Sequence, residues 1–83
     1  MKRFEPYHAA DTMGIQFEVR VGGNFFCAHV ADQVLLQRYG PADDVSQRMA
    51  LFTEHRRELS RAAARRIRTE GPQIVLVRLA DLD

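Results

Sequence analysis

A chain of 83 residues with a formal net charge of +1 has room for one domain and one core, burying about 60–65% of the surface that its unfolded form exposes. Its 46% apolar and 28% charged residues exclude a disordered polyelectrolyte, and a single cysteine, Cys27, excludes an intramolecular disulfide framework and favours a reducing compartment. Residues 1–14 lack the apolar segment of a secretory leader, and the longest aliphatic run, Ile74 to Val77, is too short to span a bilayer, so a cytoplasmic protein with no membrane association is expected.

Gly14, Gly22-Gly23, Gly40-Pro41 and Gly71-Pro72 punctuate the chain, with no repeat, low-complexity tract or linker between them, so residues 1–83 read as a single domain. Residues 1–14 form an irregular arm with room for a short edge strand near Phe4. From Ile15 to Val21 the sequence alternates, placing Ile15, Phe17, Val19 and Val21 on one face and Gln16, Glu18 and Arg20 on the other, which predicts a half-buried strand. Gly22-Gly23 suits the positive φ angles of a two-residue hairpin turn. With that turn Val21 opposes Asn24 and Val19 opposes Phe26. Phe26, Ala28 and Val30 then join the apolar face, while Phe25, Cys27 and His29 take the other; a one-residue change in the loop would reverse both.

Asp32 is placed to cap a short helix from Gln33 to Arg38, ended by Tyr39 and Gly40-Pro41. A second helix begins at an Asp43 or Asp44 cap. Its apolar positions Val45, Met49, Phe52, Leu59, Ala63 and Ile67 recur at three- and four-residue spacing until Gly71-Pro72. About 25 helical residues span about 37 Å, against about 23 Å for a seven-residue strand, so this helix should overhang the sheet, bend, or meet something else. The closing segment Gln73 to Leu79 is apolar on both faces across Ile74 to Val77, which predicts a strand covered on both sides or central in the sheet. The expected fold is therefore a two-layer α+β domain of order β-β-α-α-β with a small, largely antiparallel sheet.

Charge is uneven along the chain: between Val45 and Thr69 seven arginines face two acids, Glu54 and Glu58. Arg57, Arg61, Arg65 and Arg68 share the helix face opposite the apolar stripe, where a row of guanidinium groups can neutralise phosphates in a salt-dependent, sequence-independent way. Against this, Glu54 and Glu58 sit three residues before Arg57 and Arg61, a spacing for local pairing, and no aromatic residue interleaves the row to stack on bases. A plain solvated face is the competing reading. Arg56, next to His55, falls on the apolar seam between Phe52 and Leu59. There it either lays its stem along the core and pairs at the core edge or holds an anion at the mouth of a pocket.

Cys27 and His29 share a strand face, with His55 and His8 elsewhere, but two same-face ligands fall short of the three or four that zinc needs, so neither a metal nor another cofactor is expected. The chain carries no nucleophile elbow, glycine-rich phosphate loop or acid–base pair, so no catalytic residue is assigned. Ala62-Ala63-Ala64 permits close approach of a second backbone, as in a homodimer, and equally suits a helix packed beneath a sheet.

The pattern Phe52-x-x-His55-Arg56-x-x-Leu59-x-x-x-Ala63-x-x-x-Ile67, preceded by a Gly-Gly hairpin and Phe26-Cys27-Ala28, resembles the YrdB-like short bacterial proteins, a domain of unknown function. The resemblance runs from Phe4 to about Glu70 and implies a stand-alone α+β domain with no assigned activity, cofactor or catalytic residue. The tryptophan expected in the N-terminal arm is replaced by Tyr7 as nearest aromatic, and the segment after Pro72 is richer in aliphatics than the family leads one to expect. Together these readings favour a small non-enzymatic interaction or regulatory protein, homodimeric through the overhanging helix. The alternative is a weak, salt-sensitive nucleic-acid or anion binder through Arg57, Arg61, Arg65 and Arg68.

Overall fold

In the computed structural model, which describes residues 5–71 and 75–82, the alternation of Ile15 to Val21 becomes strand β2 (Gly14–Val21), and Asn24–Ala31 forms β3. Gly22 and Gly23 have φ of 59° and 85°, positive at both positions as a type I′ turn requires. The register is the expected one: Val21 pairs with Asn24, Val19 with Phe26, Phe17 with Ala28 and Ile15 with Val30. A further strand, β1 (Tyr7–Ala9), pairs antiparallel with β2. It is the edge strand anticipated in the arm, lying a little after the position expected; Phe4 itself is outside the described residues.

The chain then forms helices α1 (Asp32–Tyr39), α2 (Val45–Glu54) and α3 (Arg56–Glu70) before returning as strand β4 (Val75–Val77) and a 3-10 turn at Leu79–Leu82. The sheet order is β1-β2-β3-β4, antiparallel throughout except for β4, which runs parallel to β3. The strand expected to be central is thus an edge. Val75 and Val77 are buried but Leu76 between them is 57% exposed, so only one face is covered; Gln73 and Ile74 lie outside the described residues.

Of the overhang, bend or outside contact expected for the long helix from Val45, the structure takes the bend, at His55, whose φ of −108° and ψ of 17° leave the helical region. His55 N–H closes α2 on the Leu51 carbonyl and the His55 carbonyl opens α3 by accepting from Leu59 N–H. No glycine or proline marks the place. Instead the His55 ring stacks on Tyr39, with centroids 3.7 Å apart and planes within 6°, which anchors the bend against the end of α1. With only 15 residues, α3 is about 22 Å long, so nothing overhangs. Phe52 and Leu59 reach the core from either side of the bend, and Phe52 packs on Phe17 with ring centroids 5.0 Å apart. Val45, expected in the core, is instead exposed. Ala62, Ala63 and Ala64 are buried under the sheet with Ile67, which is the packing reading of that run.

Candidate functional site

The bend decides where the arginines go. Because α3 restarts its helical phase at Arg56, the seam passes through Leu59, Ala62, Ala63 and Ile67, and Arg56 turns out to solvent. The expectation that Arg56 lies on the apolar seam between Phe52 and Leu59 is corrected accordingly. His55, its neighbour, is committed to the Tyr39 stack.

Arg56, Arg57 and Arg61 line an open groove of about 700 Å³ between the β2–β3 hairpin and the start of α3, with Arg20 on the opposite wall. Glu18 and Glu54 are the acids of its lining, so four guanidinium groups meet two carboxylates. Arg20 also lies over the Phe25 ring, 5.9 Å from its centroid, close enough for a cation–π contact. Arg65 and Arg68 continue along the exposed face of α3 but do not line the groove. The structure therefore brings together half of the expected row and adds Arg20, whose membership follows from the hairpin register and is invisible to helical spacing.

The intrahelical pairing expected between Glu58 and Arg61 does not form. Glu58 turns to α1, where Oε1 accepts from Tyr39 Oη and Oε2 accepts from Arg38 Nη2 at 3.0 Å. The Tyr39 hydrogen bond, followed by that of Arg38, holds the Glu58 carboxyl below its ordinary range, while burial and then Glu58 push the Tyr39 phenol upward. Among the described residues Arg56, Arg57, Arg61, Arg65 and Arg68 make no salt bridge.

A second charged cluster was not legible in spacing. His8 on β1 donates from Nε2 to Asp32 Oδ2 at 2.9 Å and Oδ1 at 3.1 Å, and Arg48 Nη1 on α2 donates to Oδ2 at 3.2 Å. Asp32 is thus the first residue of α1 and a buried hub; it is not the side-chain cap that its position suggested, since Ala31 is the N-cap and no side chain caps it. By contrast Asp44 caps α2 as expected, accepting from Gln47 N–H at 2.8 Å.

Cys27 and His29 do share the sheet face away from the core. Cys27 Sγ donates to Gln16 Oε1 at 3.6 Å, and burial, then Glu18, raise its pKa, which disfavours the thiolate. His29 is 7% exposed; its burial outweighs the nearby Asp32 and pulls its pKa down. Among the described residues no three His, Cys, Asp or Glu side chains are grouped to hold a metal ion, and no helix is long and apolar enough to cross a membrane.

This architecture is similar to the crystal structure of a protein of unknown function from Shewanella loihica PV-4, with a TM-score of 0.75, 18% identity, and coverage of 89% of this chain and 87% of that one. At that identity the likeness shows a shared fold. No curated protein matches. The profile of the DUF1488 family, described as a protein of unknown function, matches residues 3–76, which takes in the hairpin, all three helices and the start of β4. The chain belongs to the DUF1488 family.

Proposed function

We propose that this protein is a non-enzymatic binding module that takes a phosphate-bearing polyanion, a nucleic-acid backbone, in the groove between the β2–β3 hairpin and α3. The observation that carries this reading is the diversion of Glu58 to Tyr39 and Arg38. It strips the helix face of the acid that would have neutralised Arg61, leaving Arg56, Arg57 and Arg61 beside Arg20 in one concave surface. Guanidinium groups without carboxylate partners are well suited to phosphate oxygens. Arg65 and Arg68 extend the same positive face along the helix, so a chain of phosphates has a track beyond the groove. The finer placement, as a YrdB-like protein of the bacterial cytoplasm, is supported by the Phe52-x-x-His55-Arg56 stretch and the lone Cys27.

The test is fluorescence anisotropy with a labelled single-stranded oligonucleotide at low and high salt. Affinity should fall steeply with salt, and Arg57→Glu with Arg61→Glu should abolish binding while circular dichroism and thermal unfolding stay close to those of the parent chain. Binding that survives the double charge reversal, or that is missing even at low salt, would dispose of the proposal.

A further inference from the structure

A second hollow, sharing no residue with the arginine groove, lies where β3 passes into α1 and β4 runs out into the closing turn. Its volume of about 610 Å³ falls within the range of about 300–1,000 Å³ typical of small-molecule sites. Val34 of α1, Leu76 and Val77 of β4, and Leu79 supply apolar walls. His29 lines it with a ring that is almost wholly covered, and His29 Nδ1 is a buried nitrogen with no hydrogen-bond partner. A buried polar atom without a partner is disfavoured and calls for an explanation. Among the described residues His29 Nδ1 is the one side-chain nitrogen or oxygen in that condition, and it belongs to a residue of this hollow.

The remaining polar groups narrow the chemistry. Arg78 at the rim is already met by Asp81, with Nη2 to Oδ1 at 3.4 Å, and Asp81 in turn is held by Arg66. The rim therefore offers no unmatched positive charge to a carboxylate. Gln16 uses its carbonyl oxygen for Cys27 Sγ, which leaves the amide N–H groups as donors, and Thr12 gives its hydroxyl proton to the Ala9 carbonyl. Burial disfavours the charged form of the His29 imidazole, and the neutral ring has one donor and one acceptor nitrogen. A hydroxyl both gives and accepts, so it satisfies Nδ1 in either tautomer. Presenting that atom to a ligand needs at most a turn about the Cβ–Cγ bond, a torsion that is intrinsically broad and two-fold.

We infer that this hollow is a binding site for a small, uncharged, mostly apolar molecule carrying one hydroxyl, which hydrogen-bonds to His29 Nδ1 while its apolar body lies against Val34, Leu76 and Leu79. The site stands apart from the arginine groove, and the two readings succeed or fail separately.

The test uses the full chain, isotopically labelled, titrated with p-cresol and followed by NMR, with toluene and p-methylbenzoate as comparators that remove the hydroxyl or replace it with a charge. Saturable p-cresol shifts should centre on Gln16, His29, Val34 and Leu76–Leu79, the His29 Nδ1 resonance should move, and affinity should exceed that of either comparator by about tenfold, the value of one net hydrogen bond. Val34→Trp, which fills the hollow, should abolish the shifts with little change in melting temperature, and His29→Phe should bring p-cresol down to toluene. The inference is wrong if p-cresol gives no saturable shift, if toluene binds as well, if p-methylbenzoate binds better, or if the shifts centre on the arginine groove. Should His29→Phe fail to fold, the p-cresol and toluene comparison on the parent chain still decides.

Discussion

Asp32 and His8, 24 residues apart, are joined by a 2.9 Å hydrogen bond that ties the edge strand β1 to the first turn of α1. Arg48 reaches the same carboxylate from α2, so three elements meet at one buried acid whose side chain is 7% exposed. Removing the acid leaves two basic groups facing an uncompensated site. Asp32→Ala should therefore cost about 3–5 kcal/mol of stability, and Asp32→Asn, which keeps an acceptor, about 1–3 kcal/mol. Denaturant unfolding measures both, and a cost for Asp32→Ala below about 1 kcal/mol would show that the cluster does not hold these elements together.

Gly14 is buried because His29 lies over it. A Cβ built at Gly14 would sit 2.4 Å from His29 Cε1 and 2.6 Å from the Val30 carbonyl oxygen. The ring can move but the carbonyl belongs to the paired strand, so Gly14→Ala should destabilise by about 1–3 kcal/mol as an overpacked core site does. A double-mutant cycle with His29→Ala should recover part of this loss and not all. Full recovery would mean that the backbone yields freely and that the ring alone is the obstacle.

The hairpin was legible because its information is local: a perfect alternation and two glycines set turn, register and face together. The caps at Asp44 and Gly71 were legible for the same reason. The break at His55 was not, since it comes from Tyr39, 16 positions earlier, and from no helix breaker in the segment itself. Once the break is missed the seam is carried through Arg56, which the structure turns to solvent, although Leu59, Ala63 and Ile67 beyond it are buried as expected. The edge position of β4 was equally hidden, because a parallel pairing with β3 across three helices leaves no mark in Val75-Leu76-Val77 beyond its aliphatic character. At the candidate groove the spacing found Arg57 and Arg61, while Arg20 required the fold and the diversion of Glu58 required side-chain partners.

The Tyr39–Glu58 contact predicts a stability profile with two limbs. Glu58 has its folded pKa depressed from 4.5, first by Tyr39 and then by Arg38, so its contribution is complete above that value and is lost as the pH falls through it. Tyr39 has its folded pKa raised above 10, chiefly by burial and then by Glu58, so its contribution is present below 10 and disappears as the pH rises beyond it. The Glu58 side chain is 39% exposed, and solvent screening limits the acid limb to about 0.5 kcal/mol. Tyr39→Phe should remove the alkaline limb, flatten part of the acid one and cost about 1 kcal/mol at neutral pH. Unfolding curves from pH 3 to 11 test this, and an alkaline limb unchanged in Tyr39→Phe would assign it to another group.

Arg66 fastens the other end of the molecule. From α3 its Nε donates to Glu70 Oε2 at 2.7 Å, its Nη1 lies 3.5 Å from Asp81 Oδ2, and Nη1 also donates to the Leu76 carbonyl of β4. The Asp81 carboxyl titrates below its ordinary range even though burial opposes this, because the Arg78 backbone N–H and guanidinium and the Arg66 charge favour its ionised form. One planar guanidinium thus joins α3, the edge strand and the closing turn, and this geometry needs several donors in a fixed fork. Arg66→Ala should leave the hairpin and α1 intact and loosen the β4 edge, raising amide exchange at Val75–Val77 by about tenfold through a local opening. Arg66→Lys should restore little of the protection, since a single ammonium cannot reach the three partners at once. If lysine restored protection in full, charge alone would be the fastening; if exchange rose equally in β2 and β3, the opening would be global and Arg66 would act on the whole fold.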